Sequence, residues 1–135
     1  MKISTRQFFE SAHRLSDYEE DCKMVHGHNW VVDIDIESNR ALNKTGFVVD
    51  FKEIKKLLKS LDHRLLVKDT EENHKYFDNL PDGWVVYLPI NPTCENLSVY
   101  IKRELIQAFK FGTNDKIKIK VYETYKPEKT SYAEV

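Results

Sequence analysis

Between residues 29 and 37 the chain alternates: Trp30, Val32, Ile34 and Ile36 are apolar, while Asp33, Asp35 and Glu37 are charged. Successive strand residues point to opposite faces, so this segment is a β-strand with its even-numbered face toward a core. Such a strand needs partners in a sheet and a cover on one face. Residues 2–13 carry the β-formers Ile3, Thr5, Phe8 and Phe9 and read as a strand. Residues 116–125 are another, with Ile117, Ile119 and Val121 on one face and Lys116, Lys118 and Lys120 on the other. Residues 130–135 form a final strand, and Phe47-Val48-Val49 reads as a short one.

Two helices supply the cover. Asp50 is an N-cap with Glu53 as its capping-box partner, and Phe51, Ile54, Leu57, Leu58 and Leu61 follow at helical spacing opposite Lys52, Lys55, Lys56 and Lys59. The second helix starts after Pro92 with Thr93 as N-cap. Leu97, Ile101, Leu105, Ala108 and Phe109 make its stripe, and Gly112 ends it. The order ββααββ predicts an α+β fold: a four-stranded antiparallel sheet with both helices on one face. Residues 64–91 are the least defined region, with a turn at Pro81-Asp82-Gly83 and a short strand from Trp84 to Leu88.

The length, 135 residues with 41% hydrophobic, fits one domain spanning 1–135 with one packed core. Lys and Arg number 21 against 22 Asp and Glu, a net charge of −1, which argues against a nucleic-acid partner. No apolar run approaches the ~18 residues of a membrane span, and the N-terminus carries no signal-peptide pattern, so the cytoplasm is the expected location. Two cysteines, Cys22 and Cys94, make no disulfide framework, and a reducing compartment disfavours a bridge between them.

The chemistry concentrates in Ser11-Ala12-His13-Arg14-Leu15 and Cys22-Lys-Met-Val-His26-Gly27-His28. His26 and His28, two apart on a strand, share a face, and that face has the parity of the core. Three imidazoles with an open fourth position form the ligand set of a catalytic zinc site, whereas a structural site would have four protein ligands. Cys22 adds a base or nucleophile beside that Lewis acid. Glu123 continues the core face of its strand, where a carboxylate needs a partner. An internal salt bridge, a strand end already in solvent, or a ligand with paired N–H donors would each serve. His63 follows the first helix, whose C-terminus favours a protonated imidazole; proton transfer and a plain surface histidine are both open. Glu95 sits near the N-terminus of the second helix, where the dipole keeps it ionised, and fits ordinary helix-start chemistry. Cys94 shares that helix start, which would lower its pKa, and His74 reads as a surface residue without partners at ligand spacing.

Six segments occur together: Ala12-His13-Arg14-Leu15, Cys22-x3-His26-Gly27-His28, Asp50-Phe51, Leu61-Asp62-His63, Pro92-Thr93-x-Glu95-Asn96 and Tyr122-Glu123-Thr124. In this order the chain resembles the 6-pyruvoyl-tetrahydropterin synthase / 6-carboxy-tetrahydropterin synthase family. The resemblance implies a tunnelling fold (T-fold) whose subunits form trimeric rings, two of which stack into a homohexamer with active sites at subunit interfaces. It implies Zn2+ held by His13, His26 and His28, Cys22 as catalytic base, and Asp62 and His63 as proton-transfer partners from a neighbouring subunit. It makes Glu123 the pterin anchor, with Thr93 and Glu95 lining the same pocket. The implied substrate is 7,8-dihydroneopterin triphosphate. The three-residue gap between Cys22 and His26 resembles the 6-carboxy branch, which releases acetaldehyde and triphosphate on the queuosine route. The 6-pyruvoyl enzymes have a longer gap. Two features depart from the family's pattern: Arg64-Leu65-Leu66-Val67 follows the Asp-His pair where compact members carry Asn, and the stretch to Pro92 is longer. The resemblance thus implies an insertion at 64–91, in the form of an added hairpin at the pocket rim.

Overall fold

The computed structural model describes residues 1–126 and 128–135. Its elements are β1 (Lys2–His13), β2 (His26–Glu37), α1 (Phe51–Leu58), β3 (Arg64–Lys68), α2 (Glu71–Phe77), β4 (Val85–Leu88), α3 (Cys94–Phe109), β5 (Lys116–Lys126) and β6 (Lys129–Glu134). The class is α+β as expected, but the sheet has six strands rather than four, in the order β4-β3-β1-β2-β5-β6. It is also mixed: β1/β2, β2/β5 and β5/β6 pair antiparallel, while β3 pairs parallel with both β1 and β4. The extra strands come from the segment after His63. It is no hairpin, because α2 carries the chain back so that β4 runs parallel to β3, as a helical crossover does.

The even face of β2 packs as its alternation requires. Trp30, Val32, Ile34 and Ile36 are buried with Phe9 from β1, Ile117, Ile119 and Val121 from β5, Ile54 and Leu58 from α1, and Leu97, Ile101 and Leu105 from α3. Both long helices therefore cover one face. On the other face Asp33 receives Arg6 Nε at 2.6 Å and the Tyr122 hydroxyl at 3.0 Å, and Lys2 and Ser4 flank Asp35. The Arg6 guanidinium and that hydroxyl hold the Asp33 carboxyl below the usual carboxylate range. Among the described residues no helix is long and apolar enough to cross a membrane.

Several local expectations need correction. Residues 47–49 form no strand. The Asn43 side-chain oxygen accepts the Thr45 and Phe47 N–H groups at 3.0 and 2.9 Å, satisfying locally donors that a ladder would otherwise take. Val49 still enters the core. Asp50 caps α1 through Lys52 N–H at 2.8 Å, but Glu53 does not complete a box: its carboxylate lies 3.9 Å from Lys56 Nζ. α1 stops at Leu58, and Leu61 reaches the core from the turn beyond. Gly112 does not end α3. Lys110 does, with φ 53°, while the Phe111 N–H reaches back to the Ile106 carbonyl at 3.0 Å in a Schellman closure.

Candidate metal and pterin site

β1 ends at His13 and β2 begins at His26, and these two residues are register partners, as are Ser11 and His28. The open end of the β1/β2 pair thus carries three imidazoles on the core face, with one nitrogen from each ring within 4.8 Å of the others. Trp30 closes the floor, its ring edge-on to His13 at 5.1 Å.

The rings are oriented by backbone carbonyls. His13 Nδ1 lies 2.8 Å from the Pro92 carbonyl oxygen and His26 Nδ1 lies 2.8 Å from that of Met24. A carbonyl only accepts, so each Nδ1 carries the proton and each Nε2 keeps a lone pair. These two Nε2 atoms face each other at 2.9 Å. His28 Nε2 is buried with no hydrogen-bond partner among the described residues. Converging lone pairs repel, and an orphaned buried nitrogen is costly; a shared cation relieves both. Two imidazole nitrogens on one tetrahedral zinc sit roughly 3.4 Å apart, given Zn–N of about 2.0–2.1 Å. The donor set fits a divalent metal with two ligands already fixed by outer hydrogen bonds.

The electrostatics agree. Burial lowers His13 to about 4, against the opposing pull of its Pro92 hydrogen bond, and the neighbouring imidazoles push the same way. Burial also lowers His28, with Glu123 opposing. These two rings are therefore neutral near pH 7, the form that ligates a metal.

Glu123 sits at a β-bulge. Tyr122 pairs with Tyr132 and Thr124 with Ser131, so Glu123 is the extra residue between them. Its Oε1 lies 3.5 Å from His28 Nε2 and 3.7 Å from His13 Nε2. With its side chain 31% exposed, the carboxylate is open to a ligand. Its ion-pair partners among the described residues are imidazoles, not an arginine or lysine. The start of α3 stands beside it. Thr93 caps that helix through the Asn96 N–H at 3.3 Å, and Glu95 is held low by its own backbone N–H and the Thr93 hydroxyl. Cys94 contradicts the expected low pKa: burial, then Glu95 and Glu123, push its thiol up to about 11. Cys94 and Cys22 are both free. Cys22 is half-buried on the short helical turn Asp21–Lys23 that precedes β2.

Asp62 and His63 are elsewhere. The Asp62 carboxylate accepts the Glu10 N–H at 2.9 Å, and the His63 N–H donates to the Glu10 carbonyl at 2.6 Å. These bonds hold His63 at φ 56°, a left-handed conformation unusual for a non-glycine residue. Its ring lies 3.0 Å from Asp62 and is 72% exposed. It borders a cleft of about 690 Å³ with Glu10, Ala12, His28, Asn29, Leu80 and Trp84. Glu10 and Ala12 have the parity opposite to His13, so this cleft opens on the face of the sheet opposite α1 and α3. Gly27 and Ala12 keep its floor shallow; a Cβ on Gly27 would meet the Ser11 carbonyl at 3.4 Å. Within one chain the structure brings Glu123, Thr93 and Glu95 toward the three histidines, and sets the His63 ring beside Asp62 and Glu10 at a cleft that His28 also lines.

Sequence reasoning missed the carbonyls of Pro92 and Met24, which a sequence cannot flag because every residue has one. It missed Glu10 as the dock for Asp62-His63. It also left His74 without partners, whereas its two ring nitrogens lie 2.8 Å from Asp69 and Asp78 and its ring stacks on Tyr87 at 4.1 Å. The i, i+4 spacing of His74 and Asp78 was the available signal.

The comparisons with known proteins concern nearly the whole chain. The family model described as 6-pyruvoyl tetrahydropterin synthase matches residues 2–134. The 6-carboxy-5,6,7,8-tetrahydropterin synthase of Rickettsia typhi is 32% identical over 131 residues, covering 92% of this chain and 94% of that one. In fold, the chain is similar to the 6-pyruvoyl tetrahydropterin synthase of Plasmodium falciparum, with TM-score 0.67 and 24% identity over 100% of this chain and 97% of that one. The Caenorhabditis elegans 6-pyruvoyl tetrahydropterin synthase gives TM-score 0.60 at 25% identity, covering 98% and 94%. With a T-fold shared by such neighbours and a family match running almost from end to end, this chain belongs to the 6-pyruvoyl tetrahydropterin synthase family.

Proposed function

We propose that the chain is a cytoplasmic zinc-dependent 6-carboxy-tetrahydropterin synthase. It would convert 7,8-dihydroneopterin triphosphate and one water to 6-carboxy-5,6,7,8-tetrahydropterin, acetaldehyde and triphosphate. The observation that carries this reading is the pairing of a three-imidazole donor set with a half-exposed carboxylate 3.5 Å away, at Glu123. One group suits a metal; the other suits the two adjacent N–H donors on the amino-pyrimidinone edge of a pterin. The curated relative from Rickettsia typhi, named for the 6-carboxy reaction, supports the branch.

Zinc at His13, His26 and His28 would supply Lewis acidity toward the hydroxyls of the substrate's side chain. The remaining roles fall to the chain. Glu123 fixes the pterin ring, with Thr93 and Glu95 along the wall. Cys22, as thiolate, removes a proton from the side-chain carbon; His63, hydrogen-bonded to Asp62, holds or returns the compensating proton. Because Asp62 and His63 face away from the histidine cluster in one chain, the complete site takes them from a neighbouring copy in a homohexamer.

Product analysis tests the proposal. The zinc-loaded protein is incubated with 7,8-dihydroneopterin triphosphate and the mixture examined by mass spectrometry. Acetaldehyde with a 6-carboxy pterin is the expected result, abolished in Cys22→Ala with zinc retained. A 6-pyruvoyl product would move the chain to the other branch. Unchanged substrate would leave a zinc- or pterin-binding module, and full turnover by Cys22→Ala would refute the mechanism assigned to that thiol.

A further inference from the structure

A second polar cluster, outside the metal and pterin site, is buried where β1 runs into the loop that carries Cys22. Arg14 is 5% exposed and Asn73, on α2, is 0% exposed. The two side chains share one hydrogen-bond network. The Asn73 amide nitrogen donates to the Lys68 carbonyl at 2.7 Å and to Ser16 Oγ at 3.0 Å. Its orientation is fixed by this pattern, since a carbonyl can face only the NH2 end, and the amide oxygen is thereby aimed at Arg14 Nη1, which donates to it. Arg14 then spans to the loop: its Nε donates to the Lys23 carbonyl at 3.1 Å. The Arg14 guanidinium also has Glu72 Oε2 at 3.6 Å and lies over the Tyr76 ring at 5.5 Å, both from α2.

Lys23 follows Cys22 directly. The Cys22 carbonyl is itself held, by the Leu15 N–H at 3.0 Å. The thiol-bearing turn is thus gripped at two successive carbonyls, both from the segment right after His13. One of those two grips passes through a side chain whose geometry α2 dictates. Ser16, the third member, is tied by a two-way bond to Asn91, with 2.8 Å in each direction, and the next residue, Pro92, supplies the carbonyl that orients His13.

We propose that the Arg14–Asn73 pair is a positioning device for Cys22, through which α2 sets the reach of the thiol toward the substrate. This rests on Cys22 as the catalytic base. Arg14 and Asn73 touch neither substrate nor metal; they act through the Lys23 carbonyl. Displacing a reacting group by about 1 Å can cost ~10²-fold in rate without a loss of binding. The device therefore acts on kcat and leaves KM and metal content alone.

Four variants decide the matter. Arg14→Lys keeps the charge and the stem but lacks the fork that reaches Asn73 and Lys23 together. Asn73→Leu removes the amide, and Asn73→Asp restores an acceptor for Arg14 while leaving the Lys68 carbonyl without a donor. Ile117→Val, on β5 far from the loop, is a control of lowered stability. Kinetics, thermal unfolding and the visible spectrum of the cobalt(II)-loaded protein are measured for each, with Cys22→Ala alongside. Expected are a kcat about 10- to 100-fold down in Arg14→Lys and Asn73→Leu with KM within about threefold, an unchanged cobalt spectrum, and near-normal kcat in Ile117→Val. Asn73→Asp should recover most of the lost kcat while remaining less stable than the parent, so that rate and stability change order. If kcat follows stability across the whole set, or if Arg14→Lys turns over normally while Cys22→Ala is dead, the positioning role is wrong and the proposed function stands. If Cys22→Ala is itself active, the proposed function has failed and the positioning role with it. Should Asn73→Leu not fold, Arg14→Lys and Asn73→Asp carry the comparison alone.

Discussion

Acid should weaken the metal-free protein in a window that one residue dominates. His13 is 1% exposed and is held at about 4, whereas an unfolded histidine titrates near 6.5. Below pH 6.5 the unfolded chain binds a proton that the folded chain refuses, so stability falls as pH falls, until the folded ring protonates near 4. Each tenfold rise in proton concentration in that window costs about 1.4 kcal/mol. Between pH 7 and pH 4.5 the loss from His13 is about 2–3 kcal/mol, a large fraction of the ~5–15 kcal/mol that holds a domain together. Other groups are separable by sign and range. His28 is lowered too and adds to the loss. His74 is raised, so its contribution is complete below 6.5 and flat across the window. Asp33, Asp35 and Asp62 are lowered from 3.8, and most of their loss comes at more acid pH. The assay is urea unfolding with chelator present, at pH 7 and pH 4.5, for the parent and for His13→Gln, whose amide does not titrate. The parent should lose about 2–3 kcal/mol more than the variant. Equal losses in the two proteins would refute the assignment of the acid sensitivity to the buried ring.

Two further outcomes follow from the geometry. Glu123→Gln places an amide N–H against the pterin's own donors and should weaken binding of a pterin analogue by about 2–3 kcal/mol in calorimetry; unchanged affinity would reduce Glu123 to a neighbour of the imidazoles. The Asp69–His74–Asp78 bridge should protect α2 amides fully below about pH 6.5 and release them as pH rises through the raised imidazole pKa, after correction for intrinsic exchange; the same profile in His74→Gln would show that the bridge does not hold α2.

How far the sequence reaches depends on the range of the interactions. The β2 alternation is local and places Trp30, Val32, Ile34 and Ile36 correctly. The metal-site spacing works for the same reason: residues two apart on a strand share a face wherever the strand ends up. Thr93 and Asp50 are caps in the sequence and caps in the structure. Failures begin where one segment's choice is made by another. Phe47-Val48-Val49 has strand composition, but Asn43 takes the Phe47 amide first. Arg64–Lys68 carries the composition of a central strand, yet only its parallel docking on β1 and β4 reveals the fifth and sixth strands. The pKa of Cys94 depends on burial, which overrides the helix-start argument.

The strand parity that places the histidines also separates them from Asp62 and His63. His63 is clipped to the backbone of Glu10, and Glu10 is three residues from His13 on the same strand. An odd separation puts the Glu10 and His13 side chains on opposite faces, and the His63 ring, its Nε2 3.9 Å from the Glu10 carboxylate, lies on the Glu10 side. The proposed mechanism, with Cys22 acting beside the histidines and His63 acting with Asp62, would therefore draw the two groups from two copies. Complementation measures this directly. Cys22→Ala and His63→Ala, each inactive alone, are refolded together in equal amounts. In a closed ring of randomly mixed subunits, about one interface in four joins an intact Cys22 to an intact His63, so roughly a quarter of the parental activity should return. A mixture that assembles like the parent and stays inactive would mean that Cys22 and His63 act within one chain, and the reading of a site shared between copies would be wrong.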